Sequence, residues 1–310
     1  MIIHDGIAAI KNKVPNAVVT IGTFDGVHLG HQEILNRIIE LAKKTGGETA
    51  LITFWPHPRF VLNPNDHSLK LLSTFEEKAE RLKEIGLDHL IKIEFTKEFS
   101  NWSSEKFIQE VIISALGTQK LVIGYDHHFG KNREGGFEHL KAHEESYGFK
   151  VEEISRQDID NVGISSTKIR NALLEGELEV AKQFLGRAYP LTGKVISGDK
   201  IGRSIGFPTA NIEVEASYKL IPAKGSYAVK VKIKEQLYQG MLNIGHRPTV
   251  NGVDERMEVN LFDFDQEIYG EKVTIYFIKR LRDELKFESL EQLKAQLAED
   301  KKQALNILNH

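Results

Sequence analysis

In the segment Thr20-Ile-Gly-Thr-Phe-Asp-Gly-Val-His-Leu-Gly-His31 an apolar run ends at Gly22, a glycine turn follows, and a helical pattern begins. His28 and His31 are three residues apart, so both imidazoles are expected on one side of the first helical turn. The free amides and positive dipole end of such a helix favour phosphate oxygens. Two histidines there can donate hydrogen bonds to a triphosphate as charge builds on departing pyrophosphate. Gly22, Thr23, Phe24, Asp25 and Gly26 supply the turn that would wrap the nucleotide. As a metal pair the histidines lack a third ligand at recognisable spacing. As solvent-facing helix-start residues they would have no role. Strand, glycine turn and H-x-G-H together favour nucleotide handling over both.

A second set of reactive types lies between Gly193 and Asn211. Gly198, Gly202 and Gly206, with Lys200 and Arg203, read as a flexible basic loop able to fold over phosphates, although no Walker A pattern is present. A generic glycine-rich hairpin would explain the glycines alone. Pro208 precedes Thr209 and Asn211, which are two residues apart and face the same way if the chain is extended. Glu258 alternates with Val259 and Leu261, so it should point away from them, onto the face of Asn260. There it could take a proton from an attacking hydroxyl, or be an ordinary exposed strand glutamate. Ser165, Ser166 and Thr167 offer hydroxyls at a helix start, and Arg170, one turn on, can clamp phosphate bidentately. A plain helix cap with a surface arginine reads equally well. Asp126, in the loop Gly124–Gly130, could accept from an adenine amine or ribose hydroxyls, or simply form a turn.

These residues need elements to hold them. Apolar runs at 17–21, 50–54, 90–93, 121–123 and 151–154 read as strands, with helical patterns from His31 and over 75–85. Ile34, Leu35, Ile38, Ile39 and Ala42 share one helical face. Repeated β-α-β units imply a parallel sheet with helices on both sides, a Rossmann-like half. Two short helices close it: one capped by Ser166 or Thr167, with Ile169, Leu173 and Leu174 apolar, the other over 178–185. Past Tyr189-Pro190 the period changes. Tyr227, Val229, Val231 and Ile233 alternate with Ala228, Lys230, Lys232 and Lys234, a strand with one buried face. Further strand-like runs without intervening helices predict a small antiparallel sheet, either closed into a β-barrel or sandwiched. Ser289-Leu-Glu-Gln292 opens a C-terminal helix with Leu290, Leu293, Leu297, Leu305 and Leu308 as its stripe. The fold class expected is α/β, with domains at 1–186 and 187–310.

Composition narrows the partners. With no Cys, disulfides and thiolate-bound metals are excluded. A formal net charge of -3 gives no general attraction to nucleic acid or anionic membrane. No window supplies the ~20 apolar residues of a membrane span, and no leader pattern opens the chain, so the expectation is a cytoplasmic protein.

The string around His28 and His31 resembles the nucleotidylyltransferase superfamily, and in its fuller form the bacterial riboflavin kinase/FAD synthetase family. Thr53-Phe-Trp-Pro-His-Pro58, Gly124-Tyr-Asp-His-His-Phe-Gly130, Ile164-Ser-Ser-Thr-Lys-Ile-Arg170, Gly206-Phe-Pro-Thr-Ala-Asn211 and the segment around Glu258 carry the resemblance along nearly the whole chain. It implies ATP-dependent phosphorylation of riboflavin to FMN by the second half. There Glu258 would be the base, and Thr209 and Asn211 would hold Mg²⁺. It also implies transfer of AMP from ATP to FMN in the first half, with His28, His31 and Arg170 stabilising charge. Phe54, Pro56, His57, Pro58 and Phe129 would touch flavin in the first half, Arg282 and Phe287 in the second. A monomer or weak homo-oligomer is expected, with ATP, riboflavin and FMN as partners. Two other readings are a kinase whose first half is degenerate and a flavin or nucleotide sensor. Intact His28, His31, Ser166, Thr167 and Arg170 oppose the first. Retention of Glu258 beside Thr209 and Asn211 opposes the second, since binding alone needs no base.

Overall fold

The structure is a computed structural model that describes residues 1–66, 68–125, 128–131, 134–155, 163–198, 201–249 and 252–309. It divides into two compact units. One comprises Met1–Leu69 and Phe75–Ser165, the other Lys70–Thr74 and Ser166–His310.

The first unit is built on a parallel six-stranded sheet in the order β1-β4-β3-β2-β5-β6. The strands are β1 (Ile2–Asp5), β2 (Val18–Ile21), β3 (Thr49–Trp55), β4 (His89–Glu94), β5 (Lys120–Gly124) and β6 (Lys150–Ile154). Alternation along each strand feeds two separate cores. Val18, Leu51, Leu90 and Val122 join Leu35 and Ile38 of helix α1 (Leu29–Thr45) on one face. Val19, Ile52, Ile91 and Ile123 join Ile108 and Val111 on the other. Coverage on both faces explains why the central strands are continuous apolar runs. β1 escaped the sequence pattern because it is a short edge strand with Ile2 and Ile3 exposed.

The order reverses direction beside β2, whose neighbours are β3 and β5. In open parallel sheets the crevice at the carboxyl ends of strands at such a switch point is where ligands bind. The turn after β2 and the loop after β5 both start from that edge.

The second unit is a closed barrel in the order β10-β11-β8-β7-β12-β9. Its strands are β7 (Tyr189–Ile196), β8 (Ala210–Glu213), β9 (Gly225–Ile233), β10 (Gln236–Thr249), β11 (Gly252–Leu261) and β12 (Lys272–Arg282). Tyr227, Val229, Val231 and Ile233 are buried as their alternation requires. Ala228, expected on an open face, is buried as well. The C-terminal helix Leu290–Leu308 lies there and contributes Ala304 and Leu308 to the same apolar cluster. That helix is capped by Ser289, whose hydroxyl accepts from the Gln292 N–H at 3.2 Å. Of its expected apolar stripe, Leu297, Leu305 and Leu308 pack against that cluster, whereas Leu290 is exposed and Asp300 and Ala304 join the buried line.

Helices Ser166–Glu175 and Leu178–Leu185 belong to this second unit. Ser166 opens the first of them, so the residue flanking it is Ser165, not Ser166 or Thr167. Ile169, Ala172 and Leu173, at i, i+3 and i+4, form the buried stripe, and Leu174, one position further round the helix, turns off it and is exposed. The segment Lys70–Thr74 is a further part of the unit. Leu71 exchanges backbone hydrogen bonds with Tyr218 and Leu220, at 2.7 and 2.8 Å. Lys219 is buried, and its Nζ donates to the Leu72 and Pro190 carbonyls at 2.7 and 2.8 Å while lying 4.5 Å above the Tyr189 ring.

Candidate active sites

The turn after β2 is sharply bent. Phe24, Gly26 and Val27 all have positive φ, at 47°, 81° and 43°. Left-handed backbone at a β-branched residue is costly, and such strain gathers where a backbone must present itself to a ligand. A Cβ on Gly22 would sit 2.8 Å from the Phe24 ring, so the turn can close only over glycine. Lys78, on the helix Phe75–Ile85, fastens it from behind. Its Nζ donates to the Thr23 carbonyl and to Thr53 Oγ1, both at 3.0 Å. Burial brings the Lys78 ammonium down to about 8, with Asp25 working against that shift. Lys78 carried no sequence signal, since it is one charged residue among many on a helix until packing encloses it.

His28 caps α1: its Nδ1 accepts from the His31 N–H at 3.3 Å. Neutral His28 therefore carries its proton on Nε2, leaving that nitrogen as the donor. The His31 ring is stacked between His28, 3.6 Å away by centroid, and Phe24, 4.6 Å away. Burial pushes His31 well below its ordinary 6.5, and His28 and Lys78 add to the effect. His31 is thus neutral at pH 7 and acts through an N–H, not a charge. In the unfolded chain it takes up a proton near pH 6.5 that the folded chain refuses, so the unfolded state binds more protons below that pH. The stability from this site is full above pH 6.5 and is lost as the pH falls below it. Thermal midpoints followed from pH 7.5 to 5 should decline in the wild type, with a shallower decline in His31→Gln; parallel curves would contradict the assignment.

A cavity of about 770 Å³ opens beside this turn. Gly22, Thr23, Phe24 and His31 line it, as do Gly124, Phe129, Phe54 and Pro58. Pro56 and His57 are not among its lining residues, and the His57 ring instead caps the short helix Pro58–Leu62 by accepting from the Arg59 N–H at 3.2 Å. Asp25 is buried and, like Gly26 and His28, does not line the cavity. Sequence reasoning missed the aromatic wall: Phe54 lies 5.7 Å from Phe95 and 5.8 Å from Phe99, and Phe99 lies 5.0 Å from Trp102. The spacing of Phe95, Phe99 and Trp102 after β4 was the available signal. Such a wall suits a flat aromatic ligand. Asp126 and Lys200 lie outside the described residues. Ser165 ends the first unit, while Ser166, Thr167 and Arg170 stand in the first turns of the helix that opens the main part of the second.

In the barrel a second cavity, of about 320 Å³, gathers Thr209, Asn211, Glu258 and Asn260 with Gly202, Arg282 and Phe287. Strand register makes this meeting specific: Glu258 pairs across β11 with Asn211 on one side and Asn243 on the other. Asn260 Nδ2 donates to the Pro208 carbonyl at 2.6 Å, tying the loop before β8 to the same strand. A Cβ on Gly198 would fall 2.0 Å from Asn211 Nδ2, so that glycine is needed for close approach. Gly206 has φ 87°, a conformation that favours glycine. The loop expected to be flexible contains a helical turn, Ile201–Ser204, and Arg203 is exposed and outside the cavity lining. Arg282 lines the cavity but is committed elsewhere: Nε and Nη2 hold the buried Asp300 carboxylate at 3.0 and 2.6 Å. Its guanidinium also lies 5.8 Å from the Phe287 ring. Arg256, unnoticed in the sequence, faces the same way as Glu258 two residues on. Strand alternation could have revealed it.

Among the described residues no group of three or more His, Asp or Glu is placed to hold a metal ion. A cation in the barrel cavity would instead draw on the hard oxygens of Thr209 and Asn211 and on phosphate. That donor set suits a small hard cation that keeps part of its coordination for substrate oxygens and water.

Comparison with known proteins finds two family models along the chain. Residues 10–168 match the family model for FAD synthetase, and residues 185–308 that for riboflavin kinase. The chain is 42% identical to a bifunctional riboflavin kinase/FMN adenylyltransferase of Listeria monocytogenes, over 92% of this chain and 90% of that protein. It is 37% identical to a Bacillus subtilis protein of the same description, over 97% and 95%. A solved structure from Streptococcus pneumoniae, described as a macrolide-efflux protein, matches with a TM-score of 0.88 at 34% identity and covers 99% of both chains. Among the described residues of this chain no helix is long and apolar enough to cross a membrane.

Proposed function

The chain belongs to the bifunctional riboflavin kinase/FMN adenylyltransferase family, and from that premise we propose how its residues divide the two reactions. It phosphorylates riboflavin to FMN with ATP and transfers AMP from a second ATP to FMN, releasing pyrophosphate and giving FAD. We assign phosphorylation to residues 187–310 and adenylylation to residues 1–186.

In the kinase pocket Glu258 accepts the proton of the riboflavin 5′-hydroxyl as that oxygen attacks the γ-phosphorus, and ADP leaves. The observation that carries this assignment is the register of β11. It sets Glu258 opposite Asn211, with Thr209 in the same cavity. Both reactions of the family use a divalent metal. We assign Mg²⁺, held in the barrel by Thr209 and Asn211, where it would neutralise phosphate charge. Phe287 is the aromatic group in reach of the flavin, and Arg282 acts by holding Asp300.

In the first unit an oxygen of the FMN phosphate is already an anion, so attack on the α-phosphorus needs no protein base. Positioning and charge stabilisation are what remain for the protein to supply. The Nε2–H of His28, the neutral His31 ring and the amides of the turn serve the phosphates, and the aromatic wall serves the flavin ring. The roles of Asp126, Ser165, Ser166, Thr167 and Arg170 rest on their motifs alone. We place the enzyme in the cytoplasm, as a monomer or weak homo-oligomer.

The test is product analysis by chromatography after incubation with riboflavin, ATP and Mg²⁺, and in parallel with FMN, ATP and Mg²⁺. FAD should form in both, with FMN appearing transiently in the first. FMN without FAD would leave only the kinase, and no product in either would overturn the assignment.

A further inference from the structure

Two groups on which the kinase reading depends, the base and a metal ligand, are held in this structure by one side chain that the reading does not use. Arg256 Nε donates to Asn211 Oδ1 at 2.8 Å. The same nitrogen lies 2.9 Å from Glu258 Oε1. Asn211 is itself oriented: its amide nitrogen packs against Gly198, so its oxygen is the end turned to the arginine. All three side chains line the barrel cavity.

We propose that Arg256 is a cation placeholder: its guanidinium engages the Asn211 oxygen that the divalent cation would use, and it must give up Asn211 Oδ1 when the cation–nucleotide complex enters. The inference rests on the kinase reading of this pocket. A metal ion needs the same lone pairs of Asn211 Oδ1 that now accept from Arg256, and two positive groups cannot share that oxygen cheaply in a half-buried cavity. Without Arg256, the Glu258 carboxylate and the Asn211 oxygen would lose the positive group they share. The arginine therefore keeps both ready before substrate arrives. Once displaced it remains beside the phosphates, where a planar guanidinium can pair with their oxygens.

This competition predicts effects of opposite sign. In Arg256→Ala, Mg²⁺·ADP should bind the pocket about three- to tenfold more tightly, since entry no longer breaks a charge-assisted hydrogen bond. Riboflavin phosphorylation should fall about tenfold or more, because the base and ligand are no longer pre-set and the guanidinium is missing from the phosphates. A merely structural arginine would weaken both together. Lost long-range attraction for the anionic nucleotide would also weaken binding, so tightening is a demanding result.

Binding is read by calorimetry on the full chain, with no turnover, as Mg²⁺·ADP is titrated in. Asn211→Ala identifies the part of the isotherm that belongs to this pocket. FMN adenylylation by the same preparations reports whether the chain remains folded. Tightened binding with slowed phosphorylation supports the placeholder. Unchanged or weakened binding in an Arg256→Ala protein that still adenylylates FMN overturns it. If Arg256→Ala loses adenylylation as well, Arg256→Gln, which keeps the stem and one donor, replaces it under the same criteria. A wild type with no Asn211-dependent Mg²⁺·ADP binding would overturn the kinase reading of the pocket, and the placeholder with it.

Discussion

Glu258→Ala is expected to lower riboflavin phosphorylation on the order of a hundredfold or more while leaving FMN adenylylation nearly intact. The size follows from removing a general base that acts in the transition state. The selectivity follows from the fold: Glu258 lies in the barrel cavity, whereas His31 lines a separate cavity in the other unit. Loss of the carboxylate also removes one partner of Arg256, so alanine alone mixes two effects. Glu258→Gln separates them, because the amide oxygen can still accept from Arg256 but cannot take up a proton at neutral pH. Equal losses in both variants, read as steady-state rates of FMN formation, identify the base. A glutamine variant of near wild-type rate would reduce Glu258 to an anchor for Arg256.

The converse effect is expected from His31. His31→Ala should cost adenylylation about a hundredfold or more and spare phosphorylation, the scale of losing a donor to developing charge. The ring is stacked on both sides, so its removal also leaves a gap between Phe24 and His28. His31→Phe keeps a flat ring in that place without an N–H. If both variants lose FAD formation from FMN to a similar degree, the hydrogen bond is what matters. Recovery in the phenylalanine variant would make His31 a spacer and leave the work to His28 Nε2–H.

The parts legible in the sequence are those that local rules determine. The strand–turn–helix around His28 and His31 follows from an apolar run, glycines at the bend and a 3.6-residue period, and helix 75–85 and helix 178–185 end at their glycines. The meeting of Thr209, Asn211 and Glu258 was readable through alternation and a motif. What escaped depends on distant chain. Lys78 is distinguished only by the turn packed onto it, and Ala228 only by the C-terminal helix laid across its strand. The aromatic wall is split between the end of β3 and the segment after β4 and becomes a surface only when those two strands lie side by side. His57 looked like a ligand group by its motif, yet its ring nitrogen is used for capping.

The placement of Lys70–Thr74 bears on how the chain can be taken apart. A fragment begun at residue 187 would contain every barrel strand and the C-terminal helix, and by motif alone would pass for a complete kinase. It would nevertheless lack the Leu72 carbonyl that accepts from the enclosed Lys219 ammonium, as well as the backbone partner of Tyr218 and Leu220. An ammonium left short of an acceptor in such a place is costly. Gene order and architectural order therefore differ in this protein: residues 70–74, as well as the two helices over 166–185, precede residue 187 yet are structural parts of the second unit, and dissection into working halves has to carry them across.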